Sequence, residues 1–114
     1  MNEIIQKILF NLERSATAYE LYKSGNKYYQ ALRIYKANQT IYALLVSNTH
    51  LWQDINEIMI TYLFHLEDWF EQFDEEVRTK KPTLNSHFVF MRFEDSPAYP
   101  AGIRETIKSL HPGL

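Results

Sequence analysis

Residues 51 to 78, LWQDINEIMITYLFHLEDWFEQFDEEVR, set large apolar side chains at alternating steps of three and four: Trp52, Ile55, Met59, Tyr62, Leu66, Trp69 and Phe73. An α-helix turns once in about 3.6 residues, so this rhythm keeps one face toward a core, whereas a strand would need a step of two. No glycine or proline occurs from 26 to 81, which removes the usual helix breakers. The spacing predicts an all-α protein built around this central rod.

The chain has 114 residues, enough to bury one core without staples, and one domain is expected. Its 15% aromatic content is high and argues against disorder. The absence of cysteine excludes thiolate chemistry and cysteine-type zinc sites. Glu3, Lys7, Glu13 and Arg14 interrupt the first apolar pattern, so neither a secretory signal nor a membrane span is expected, and a cytoplasmic location is the default. A net charge of −2 does not suit a general nucleic-acid binder. The charge is uneven: residues 1 to 50 hold six bases and three acids, whereas residues 51 to 78 hold one base and eight acids. The central helix is therefore acidic, facing its own basic neighbours or a basic partner.

Along the chain, a first helix is expected from about 2 to 23, with Asn2 as its cap and Ile5, Ile8, Leu12, Tyr19 and Tyr22 as its apolar face. Gly25 is expected to stop it and Asn26 to cap the next. The second helix, about 27 to 47, presents Tyr28, Leu32, Tyr35, Ile41, Leu44 and Leu45, with Ile34 and Ala37 widening the stripe. The three-four spacing runs on through Asn48, yet the polar stretch Ser47-Asn48-Thr49-His50 favours a break there over one helix of more than 50 residues. After Arg78 come cations and Pro82, which close the central helix. Residues 87 to 93, HFVFMRF, read as an extended aromatic segment packed on one side of the bundle; as a regular strand it would need a partner from outside the chain. Residues 94 to 100 read as a loop, and a short fourth helix begins at Pro100 with Ile103, Ile107 and Leu110 inward. The expected fold is an antiparallel bundle of three main helices plus a short C-terminal one.

Within residues 19 to 38, Tyr22, Gly25, Tyr28, Ala31 and Tyr35 resemble part of one tetratricopeptide repeat, with its final alanine offset by one position. That family needs about three stacked copies for stability, so one partial copy implies an antiparallel helix pair here.

Several residues are candidates for function. His65 flanks the apolar stripe beside Tyr62, Leu66 and Trp69, where it could ligate a flat cofactor such as haem or act as a base oriented by Glu57 or Asp68. The two-histidine, multi-carboxylate sets of helical metal sites are missing, so His65 reads more readily as a structural residue. Ile60 and Phe64, one turn apart, lie off the main stripe, and a helix apolar on two sides needs two things to pack against. The run containing Glu67, Glu71, Asp74 and Glu75 reads mainly as a solvated face, or else as a dock for a basic partner. Tyr22, Tyr28 and Tyr29 belong to a tyrosine-rich end with an interface-like composition. No phosphate loop, nucleophile elbow or cysteine nucleophile is present. The sequence therefore predicts a non-enzymatic interaction or regulatory module without a metal or cofactor, acting on a protein partner and forming a homodimer through Ile60 and Phe64. A ligand-binding bundle centred on His65 is the alternative.

Overall fold

The computed structural model describes residues 3–89 and 102–110. Over these the chain is all-α, with no strand: α1 (Glu3–Lys23), α2 (Tyr28–Ser47), α3 (Asn56–Lys80) and the short α4 (Ile103–Lys108). The capping position expected for Asn2, residues 90–93 of the aromatic segment, the 94–100 loop and the start at Pro100 lie outside the described residues.

The helices form because their apolar positions recur at helical spacing, and they pack as that spacing requires. α1 and α2 form an antiparallel pair, as the repeat-like stretch implied. The core faces are turned slightly from expectation. On α1, Ala18 is buried where Tyr19 was expected, and Tyr19 is half exposed. On α2, Ile34, Ala37, Ile41 and Leu45 are inside as expected and Ala31 joins them, while Tyr28, Leu32, Tyr35 and Leu44 lie at the margins. Small residues let the α1 and α2 backbones approach, and the bulky rings are displaced to the seams with α3.

The turn between α1 and α2 departs from its expected chemistry. Asn26, not Gly25, adopts the left-handed conformation, with φ 50°, and its amide donates to the Tyr22 carbonyl at 2.7 Å. Asparagine tolerates that region better than other side chains. It does not cap α2, whose first residue follows an extended Lys27 with no side-chain cap. The cap comes from tertiary structure instead: the Tyr28 amide donates to the Ser86 carbonyl at 2.9 Å and the Tyr29 amide to the Leu84 carbonyl at 3.0 Å.

The break near Asn48 is present. Asn48 ends α2, its side-chain amide donating to the Leu44 carbonyl at 2.8 Å. Residues 49–55 then form two single 3-10 turns, so α3 begins at Asn56 and the expected start at Leu51 is corrected. Trp52 remains 2% exposed and anchors this joint in the core. α3 closes at Lys81, left-handed at φ 46°, whose amide donates to the Val77 carbonyl at 2.8 Å.

The segment beginning at His87 finds its partner inside the chain. Lys27 and His87 form an antiparallel bridge, the Phe88 amide donates to the Asn26 carbonyl at 2.7 Å, and the Tyr22 hydroxyl donates to the Phe88 carbonyl at 2.5 Å. Phe88 is fully buried against Tyr28 and Phe73. This strap closes the end of the bundle where α1 meets α2.

The core falls into two clusters. One gathers Ile5, Ile8, Ile41, Leu45, Met59 and Tyr62 with Ile103 and Ile107 of α4; the other gathers Ala18, Tyr22, Ala31, Ile34, Phe73 and Phe88. Arg104 of α4 also reaches Glu13 of α1 at 2.7 Å. At the level between the clusters, Ser15 of α1 meets Asn38 of α2, with the Ser15 hydroxyl donating to Asn38 Oδ1 at 2.8 Å.

Candidate functional site

Two features stand out: the outward face of α3 and a groove between α1 and α3. With about 100° between successive helical residues, Glu57, Ile60, Phe64, Asp68 and Glu71 fall on the side of α3 away from buried Tyr62 and Leu66. Ile60 is 46% exposed and Phe64 52%. Glu57 and Glu71 are exposed, Asp68 is half-buried, and none of the three forms an ion pair among the described residues. The antiparallel register is fixed by Tyr42, whose hydroxyl donates to Glu67 Oε2 at 2.5 Å. That bond places Val46, 43% exposed, opposite the turn that carries Ile60 and Leu63. The result is an apolar ridge with carboxylates at both ends. From Ala37 to Val77 the chain contains eight acids and neither lysine nor arginine, so no neighbouring base in that span neutralises the frame.

Glu67, Asp74, Glu75 and Glu76 have internal partners. Glu67 raises the Tyr42 hydroxyl above its ordinary pKa, chiefly through their hydrogen bond. Tyr35 is raised by burial first and then by the carboxylate of Asp74. Glu75 pairs with Arg78, and Glu76 with Lys80 at 2.9 Å. Of the expected acidic dock, only Glu75 is in an ion pair among the described residues; Glu67 and Asp74 meet tyrosine hydroxyls, and Glu71 has neither kind of partner there.

The tyrosines divide. Tyr22 is buried and bonded to the strap. Tyr28 is half-buried against Phe73 and Phe88, with centroids 6.2 and 5.1 Å away. Tyr29 is half-buried and lies beneath the Arg33 guanidinium at 5.6 Å. These rings close the bundle end.

The groove has a volume of about 690 Å³, within the range of roughly 300 to 1,000 Å³ usual for small-molecule sites. It spans the gap between the two core clusters: Leu12, Tyr62 and Leu66 come from one, Tyr22, Ile34 and Trp69 from the other or its border. His65 lines it, partly buried, its ring nearly parallel to that of Tyr62 at 6.3 Å. Glu57 and Thr61 instead line a separate shallow hollow at the start of α3. The structure therefore does not bring Glu57 to His65. Among the described residues no group of three or more metal-ligating side chains converges.

Sequence reasoning missed Asn38. It is 92% buried by its 8% exposure, lines the groove, and binds Ser15 through Oδ1. Its Nδ2 has no partner among the described residues. The signal was there: Ile34, Asn38, Ile41 and Leu45 keep the three-four rhythm, so an amide stands in a core register. The chain matches no family model, no curated protein and no solved structure.

Proposed function

We propose that the protein is a non-enzymatic docking module that receives a basic, amphipathic segment of a partner protein on the outward face of α3. The observation that carries this is the exposed Ile60 and Phe64 ridge in a frame of carboxylates. Covering the half of each side chain that remains wet is worth about 1 kcal/mol apiece. The acids at either end add steering and register, and select lysine or arginine at matching positions. A second copy is the competing occupant. A two-fold pairing of this face would set acids near their own counterparts, which is repulsive.

The test measures the molar mass of the full chain by light scattering at tens of micromolar, then its affinity for a labelled leucine-lysine amphipathic helix by fluorescence anisotropy. The reading expects a monomer that binds the peptide, with weaker binding after Phe64→Ser and after Glu71→Gln. A wild-type dimer split by Phe64→Glu would make the occupant a second copy. Peptide binding unchanged by Phe64→Ser would remove the ridge from the account.

The groove favours a second reading, a bundle that holds a small molecule. Haem at His65 is one occupant, and a shifted Soret band after addition of haemin would reveal it.

A further inference from the structure

Resting on that second reading, we infer that the groove between α1 and α3 is a binding site for an uncharged, mainly apolar molecule carrying a carbonyl-type acceptor oxygen, which Asn38 Nδ2 holds. Buried amide groups are almost always hydrogen-bonded. Asn38 is an exception: Ser15 satisfies its oxygen at 2.8 Å, and its nitrogen has no partner among the described residues. With the Ser15 hydroxyl donating to Oδ1, the end left over is the nitrogen, a donor. Asn38 stands on the wall of a 690 Å³ space, far larger than the roughly 30 Å³ that one water occupies.

The walls decide the ligand class. Leu12, Ile34, Leu66 and Trp69 supply aliphatic and aromatic surface, which suits an apolar body. Among the described lining residues there is no carboxylate, and Lys23 is the one lysine or arginine. Lys23 is already paired with Glu20 at 3.1 Å and lies over the Tyr19 ring at 5.0 Å. From Ser15, at the level of Asn38, to Lys23 is eight residues, or about 12 Å of helix. Among the described lining residues, an anion held at Asn38 would thus have no lysine or arginine at its own level, and burying it there would be strongly unfavourable. A neutral ketone, ester or amide oxygen accepts the Asn38 hydrogen bond without that penalty. Haem, with two propionates, is a poorer match to the same walls.

The test titrates the full-length chain with prodan, an uncharged aromatic ketone whose emission reports its surroundings. Three comparators are phenylnaphthylamine, which is apolar and lacks the carbonyl, anilinonaphthalene sulfonate, which is anionic, and haemin. Ala16 is an exposed residue on the groove wall, so Ala16→Trp fills the space from a position that does not support the core. Expected are saturable one-to-one prodan binding, its loss in Ala16→Trp, and a roughly three- to ten-fold weakening in Asn38→Leu, the range a single hydrogen bond supplies. Phenylnaphthylamine binding is expected to be unmoved by Asn38→Leu. Absence of saturable binding by any of the four probes, or binding that survives Ala16→Trp, overturns both this inference and the small-molecule reading. Tighter binding of the sulfonate or haemin than of prodan, blocked by Ala16→Trp, leaves a small-molecule site but overturns the uncharged class. Equal effects of Asn38→Leu on both neutral probes overturn the role of Asn38.

Discussion

Asn38 makes a prediction about stability that is independent of any ligand. In Asn38→Leu the protein loses the Ser15 to Asn38 hydrogen bond, which is worth about 0.5 to 1.5 kcal/mol. The same change removes a buried donor without a partner, a feature that costs roughly 1 to 3 kcal/mol. It also places an aliphatic side chain between Ile34 and Ile41, in register with both. The Ser15 hydroxyl keeps an outlet, since a helical serine can turn to the carbonyl one turn earlier, here that of Asn11. The balance favours the variant by about 1 kcal/mol, which for a chain of this size corresponds to a rise of roughly 4 °C or more in Tm. Urea unfolding followed by circular dichroism measures the change directly, with an unchanged slope expected because the surface exposed on unfolding is nearly the same. A loss of more than about 1 kcal/mol would mean that Asn38 serves the fold, and the reasoning that sets it aside for a ligand would fail.

Other consequences are checked more simply. Tyr22→Phe takes the 2.5 Å hydrogen bond from the Phe88 carbonyl, and a fall in stability of roughly 1 to 2 kcal/mol is expected in the same unfolding assay; no change would mean that the strap is held by packing alone. Tyr35 and Tyr42 both carry a raised pKa. Because the folded state holds these protons more tightly than the unfolded state does, the contribution is intact below the ordinary tyrosine value of about 10 and is lost as pH rises above it. Glu67→Gln is expected to move one tyrosine back toward that value in an ultraviolet absorbance titration, and an unmoved profile would remove the Tyr42 to Glu67 bond from solution.

Much of the fold was legible in the sequence because it follows from periodicity. Met59, Tyr62, Leu66 and Phe73 are inside as their spacing requires, and the polar stretch at Asn48 does end α2. What escaped depends on contacts between distant segments. The α2 cap is supplied by the carbonyls of Leu84 and Ser86, and no local rule points to residues more than fifty positions away. The same holds for Tyr22 and Tyr28: their composition resembles an interface, but the strap at Phe88 buries one and flanks the other. The core faces of α1 and α2 were misread where Ala18 and Ala31 displace the larger neighbours Tyr19 and Leu32, because periodicity alone does not say which of two adjacent residues lets the backbones approach. Ile60 and Phe64 could be placed off the main stripe from sequence, but their exposure could not be known until the course of the other helices was fixed. The groove was invisible, since its walls come from α1, α2 and α3 together and only the polar Asn38 within an apolar rhythm marked its level.

The proposed docking face is tested most directly by amide chemical-shift mapping of the full chain as the leucine-lysine helix is added. Perturbations concentrated on Glu57, Ile60, Phe64, Asp68 and Glu71, absent in Phe64→Ser, are the predicted result. Shifts centred on the tyrosine-rich end or the groove, with the outward side of α3 silent, would contradict it.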